Sequence, residues 1–178
     1  MFKFKLNARN ISFLALLLAS EIVLSRFCSI NTNGIKIGFN FVPKVLCAMC
    51  FGPVPCAVVC ALSDFLGAML FPFGPYHPGF TATAFVSGFI YGLLMYNLPK
   101  YSKAQIMLRV TLAVLIGSLA IGLCINTVWV SQLYGSKTYA GWFLYRIPEY
   151  FVAVPTQIII TPALVPLARY ILSKYRIA

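Results

Sequence analysis

Long apolar runs dominate the chain, and short stretches carrying polar residues, glycine or proline separate them. A membrane-spanning helix needs about 20 mostly apolar residues. By that measure the pattern predicts spans over 11–28, 35–51, 53–72, 80–98, 106–130 and 142–172. The expected fold class is an all-α integral membrane protein, with residues 1–178 forming one six-helix bundle and no second globular domain.

The separators fix this reading locally. A polar stretch at 31–34 precedes the second span, and Gly52-Pro53 with Pro55 make a tight turn into the third, since proline is accepted in a helix's first turn. Residues 71–81 hold Pro72, Pro75 and Pro78 with Gly74 and Gly79, which excludes a regular helix. Pro99, Lys100, Tyr101, Ser102 and Lys103 form a basic loop. Pro148, Pro155, Pro162 and Pro166 interrupt the last span, which is expected to be long and kinked.

Composition strengthens the membrane reading. The chain is 61% hydrophobic and 10% charged, where a soluble domain is roughly half apolar and a quarter charged. The net charge of +11 does not point to nucleic acid, because the basic residues lie between apolar runs and not on one helix or tail. Lys and Arg are retained on the cytoplasmic side of inserted helices. Lys3, Lys5, Arg9, Lys100, Lys103, Arg109, Arg169, Lys174 and Arg176 then share the cytoplasmic face of a multi-pass protein of the cell membrane. Both termini fall inside, which requires an even number of spans and argues against a cleaved signal peptide followed by five.

Against that background the buried charges stand out. Glu21, Asp64, Glu149 and Lys44 lie in predicted spans, and Arg26, Lys36 and Arg146 at the outer ends. Each ionisable group in hydrocarbon costs about 2.5–3.5 kcal/mol on the insertion scale, so they are expected to face the interior or a wet cavity. Glu149 can pair with Arg146 one turn away, whereas Asp64 has no basic neighbour within a turn. The cations suit an anionic solute, and Phe39, Tyr76, Phe80, Trp142 and Tyr145 offer faces for a flat ring. For Trp142 and Tyr145 an interfacial aromatic belt is the plainer reading. Cys47, Cys50, Cys56 and Cys60 lie in apolar sequence without a nearby histidine, as small packing residues do. Ala15 and Ala19 form a small-xxx-small pair on the first helix, suited to close approach of another helix.

Several chemistries are not encoded. Gly135-Ser136-Lys137-Thr138 is not a phosphate-binding loop, so the chain cannot drive transport by hydrolysing ATP itself, and no cofactor motif is present. His77 has no Cys, Asp or Glu beside it in a metal or nucleophile arrangement, and the three carboxylates sit on three spans. An intramembrane hydrolase built on Ser63, Asp64 and His77 is the enzymatic alternative; a self-sufficient carrier would show inverted repeats, and none is visible.

Residues 38–43, 51–53, 64–67 and above all 71–81, with its P-x-G-x-Y-x-P-G-F-T pattern, resemble the substrate-binding S components of energy-coupling factor vitamin transporters, specifically the folate-type branch. His77, where a plain aromatic is expected, and Glu149, in a stretch expected to be basic, depart from the family pattern. The resemblance implies six helices with cytoplasmic termini, an outward-facing vitamin site and a non-enzymatic role. It also implies as partners a transmembrane coupling protein, meeting Ala15 and Ala19, and two cytoplasmic ATPases. In such transporters the S component is thought to topple in the bilayer and carry its vitamin inward. For folate, Asp64 would pair with the pterin edge, and Tyr76 and Phe80, with His77, Thr81 and Phe39 nearby, would enclose the ring. Arg26, Lys36 or Arg146 would engage the glutamate tail, because cations complement its two carboxylates.

Overall fold

The structure is a computed structural model that describes residues 7–32, 35–72, 74–135 and 137–175; the side chains of residues 30–32, 35–37 and 175 lie outside that description. Lys3, Lys5, Ser136 and Arg176, all weighed above, are outside it altogether, as is Phe73.

The first apolar run forms α1 (Ala8–Arg26), which buries Leu17, Glu21 and Ile22 and turns Ile11, Leu16 and Val23 outward. Next comes a hairpin of β1 (Ser29–Thr32) and β2 (Ile35–Gly38), antiparallel with Thr32 opposite Ile35. This corrects the span expected over 35–51. Ile35, Lys36 and Ile37 alternate with a period of two, which suits a strand, and helix begins only at α2 (Phe41–Phe51). Its 11 residues reach about 16 Å, roughly half of a hydrocarbon core.

Gly52, at a φ of 84°, reverses the chain into α3 (Pro53–Leu70). α3 packs along α4 (Pro78–Met95), the most extensive helix pair in the fold. Gly88 and Gly92 make that approach: a Cβ on Gly92 would lie 2.3 Å from Pro53 Cα, and one on Gly88 2.8 Å from the Cys56 carbonyl oxygen. A short 3₁₀ turn over Leu98–Lys100 and a capping box between Ser102 and Gln105 then start α5 (Lys103–Val114). α5 runs through a π-helical stretch (Leu115–Ile125) into α6 (Asn126–Tyr134), giving a rod of 32 residues.

α7 (Tyr139–Ala163) contains Pro148, Pro155 and Pro162 without interruption, contrary to expectation. Spaced seven residues apart, they fall along one side of the helix, two turns from one another. The expected kink lies at Leu164, between Pro162 and Pro166, where the chain bends by 41° into α8 (Val165–Tyr175). Among the described residues four helical segments are long and apolar enough to cross a membrane, or five when the bent α7–α8 pair is counted as one span; the expected sixth, α2, is too short by itself.

The dry core lies at one end of this helical membrane protein. Val45, Met49, Met95, Leu98, Val110, Val114 and Ala168 have no exposed surface there. Cys47, Cys50, Cys56 and Cys60 are buried among them as free thiols, filling space as the sequence indicates. The same end gathers basic side chains: Arg169 donates to the Pro99 carbonyl at 3.0 Å, and Arg109 lies 3.9 Å from the centre of the Tyr101 ring.

Candidate functional site

The polar residues singled out from sequence assemble at the opposite end. Pro72, Pro75 and Pro78 keep the chain out of helix between α3 and α4. The chain therefore folds back, and Thr81 in the first turn of α4 meets Asp64, two-thirds of the way along α3. Thr81 Oγ1 donates to Asp64 Oδ2 at 2.9 Å. A carboxylate only accepts and a hydroxyl has one proton, so Tyr76 must donate to Thr81, at 2.8 Å. The result is a directed chain, Tyr76 to Thr81 to Asp64. All three residues are half-buried, and a carboxylate has about four lone-pair positions, so one hydroxyl does not exhaust it.

α1 supplies the basic neighbour that Asp64 lacks on its own helix. The Arg26 guanidinium lies against Gly67, one turn beyond Asp64, where a Cβ would come within 2.9 Å of Arg26 Nε. The Asp64 carboxylate is within electrostatic reach of it. Phe27 packs edge-on against Phe71 at 5.0 Å and so joins the ends of α1 and α3.

An aromatic wall flanks this cluster. Tyr76 meets Phe65 edge-on at 5.9 Å. His77 caps α4: its Nδ1 accepts from the Gly79 N–H at 3.0 Å, which puts the ring proton on Nε2. The imidazole stacks on Trp129 at 5.1 Å and meets Phe80 edge-on at 6.4 Å. The Trp129 indole occupies the space over Gly79, where a Cβ would be 2.5 Å from its ring carbons. Trp129 Nε1 is buried without a hydrogen-bond partner among the described residues. Sequence reasoning overlooked this residue; the one available signal was an aromatic near the end of a span whose end shares this side of the bundle. A hydrogen bond from Thr83 to Asn126 Oδ1 fixes α6 against α4 beneath it.

The remaining candidates stand apart from these contacts. Arg146 is buried on α7, donating to Thr127 Oγ1 at 3.1 Å and to the Tyr150 hydroxyl at 3.0 Å, with Glu149 Oε2 3.5 Å away. The pairing expected from their spacing is present. Lys137 lies 4.1 Å from the centre of the Tyr145 ring and 5.2 Å from that of Trp142. Phe39 is half exposed and packs on Phe41. Lys36 lies on β2 opposite Asn31, with its side chain outside the described set. Lys44 sits over the Tyr91 ring at 5.5 Å, within reach of Glu21, and ties α2 to α1 and α4 in the interior. Ala15 and Ala19 are exposed on α1.

A half-buried carboxylate, a cation and an aromatic wall at one end of a helical membrane protein are what a solute-binding membrane subunit would present. Comparison with known proteins makes this specific: the family described as ECF-type riboflavin transporter, S component, matches residues 5–170, and the chain belongs to that family. It is similar to the folate transporter FolT of Clostridium novyi (strain NT), at 40% identity over 148 residues covering 83% of each chain. FolT of Leuconostoc mesenteroides is 29% identical over 158 residues, covering 86% of this chain and 83% of that one. A crystal structure of FolT bound with folic acid superposes with a TM-score of 0.80 at 33% identity, covering 90% of this chain and 94% of the other. The family resemblance read from the sequence is confirmed. Its members are transporter subunits, so the protein is not an enzyme and the hydrolase alternative is set aside.

Proposed function

We propose that the chain is the folate-binding S component of an energy-coupling factor transporter of the cell membrane. The observation that carries this reading is the hydroxyl chain ending on Asp64, with Arg26 against Gly67 one turn along the same helix and an aromatic wall beside it. The pterin edge presents adjacent N–H donors, which a carboxylate with spare lone pairs can accept as a pair. Tyr76, Phe80 and His77, backed by Trp129, enclose the flat ring. Arg26 and Lys36 engage the carboxylates of the tail, while Arg146, held by three partners, stiffens the wall. Riboflavin, named in the family description, also has a flat ring with donors and acceptors but no carboxylate for the cations, so it should bind less well.

The proposed assembly is one domain of six membrane-embedded helical segments. α2 with its hairpin makes one crossing and the bent α7–α8 pair another. Both termini and the basic end face the cytoplasm, consistent with the positive-inside rule. A transmembrane coupling protein docks on α1 at Ala15 and Ala19, and two ATPases supply the energy.

The test is equilibrium binding of folate, riboflavin, thiamine and pantothenate to the detergent-purified chain, with Asp64→Asn and Arg26→Ala variants. Preferential folate binding weakened by both changes is the expected result. Preference for another vitamin would overturn the substrate assignment, and folate binding indifferent to both changes would overturn the site.

A further inference from the structure

A second site lies at the far end of α1. Arg9, Ser12, Phe13 and Leu16 of α1 and Lys174 of α8 line an open groove of about 540 Å³. Among the described residues its charges are of one sign, and no carboxylate lines it. Tyr170 holds Lys174, accepting from its Nζ at 2.8 Å with the ring centre 5.2 Å away. Asn7 makes no side-chain cap to α1, so the first-turn N–H groups near Arg9 add to the positive field. From Arg9 to Leu16 the groove descends about 10 Å along the helix axis, from charged mouth to apolar floor. Leu16 remains 60% exposed there.

We propose that this groove binds an anionic phospholipid. The phosphate would sit between Arg9 and Lys174, the glycerol region beside the Ser12 hydroxyl, and the upper acyl chain over Phe13 and Leu16. A free phosphate has no use for the apolar floor, and a zwitterionic headgroup brings a cation against two others. The site is independent of the Asp64 cluster, since Arg9 lies about 25 Å along α1 from Arg26.

The experiment is thermal stability and bound-lipid mass spectrometry of the detergent-purified full chain, titrated with dioleoyl-phosphatidylglycerol, dioleoyl-phosphatidylcholine or inorganic phosphate. Phosphatidylglycerol is expected to bind about tenfold more tightly than phosphatidylcholine, since each cation near a surface adds several-fold preference for anionic lipid. Phosphate alone should have no effect. An Arg9→Gln/Lys174→Gln double variant should lose the preference while eluting as a single species with an unchanged melting midpoint in phosphatidylcholine. Equal affinity for the two lipids, stabilisation by phosphate alone, or a preference that survives the double variant would each overturn the proposal. If the double variant misfolds, Leu16→Asn at the floor must reduce phosphatidylglycerol binding, and failure to do so rejects the site.

Discussion

The two ends of the bundle are built on different terms. Around α2 the interior is close-packed: Met49, Met95 and Leu98 are wholly buried, thiols fill the gaps, and Gly92 brings backbone against backbone. Around Asp64 the side chains are half-buried and their hydrogen-bonding capacity exceeds what the fold uses, down to the buried indole N–H of Trp129, which finds no partner among the described residues. Buried polar groups are costly to leave unsatisfied. On the proposed function, the Asp64 end keeps that capacity for a ligand, whereas the close packing around α2 serves rigidity.

Four substitutions sharpen or break this contrast. Asp64→Ala should weaken folate binding by about 100-fold, equivalent to about 3 kcal/mol, because a charged acceptor is lost, while the melting midpoint stays near that of the parent. Gly92→Ala should do the reverse: its Cβ would lie 2.3 Å from Pro53, and overpacking of that kind costs about 1–3 kcal/mol of stability with the affinity of folded protein retained. Gly79→Ala should displace the Trp129 ring and lower affinity by about tenfold, or about 1.4 kcal/mol. Thr81→Val removes the middle of the hydroxyl chain and should cost about fivefold in affinity, near 1 kcal/mol. Isothermal titration and thermal denaturation on the same preparations separate the two axes. If Gly92→Ala weakened folate as strongly as Asp64→Ala at unchanged stability, the division between the ends would fail.

What the sequence disclosed follows the range of the signal. Gly52-Pro53 and the prolines between 71 and 78 act on their own neighbours, so the limits of α3 and α4 were legible to within three residues. The union of Asp64, Tyr76 and Thr81 was legible for the same reason, since one short reversal brings them together. The hairpin was missed although Asn33-Gly34 lies between Ile30, Thr32, Ile35 and Ile37, a turn dipeptide flanked by β-formers. An averaged hydropathy over 35–51 absorbed it into a helix. Trp129 over Gly79 and Arg26 over Gly67 depend on which faces of distant helices meet, and no local pattern reports that. Arg146 illustrates both cases: its pairing with Glu149 is written in an i, i+3 spacing, but its bonds to Thr127 and Tyr150 needed the fold.

The π-helical stretch between α5 and α6 sets the phase of everything beyond it. Its wider winding decides toward which neighbour Asn126 and Trp129 point, and hence that they reach Thr83 and Gly79. Removing a single residue between 115 and 125 would rotate α6 by roughly 100° about its axis, leaving composition and hydropathy almost untouched. The Asp64 end of this protein is therefore keyed to a count of residues as much as to their identity, and a length change too small to alter any membrane span would be enough to dismantle it.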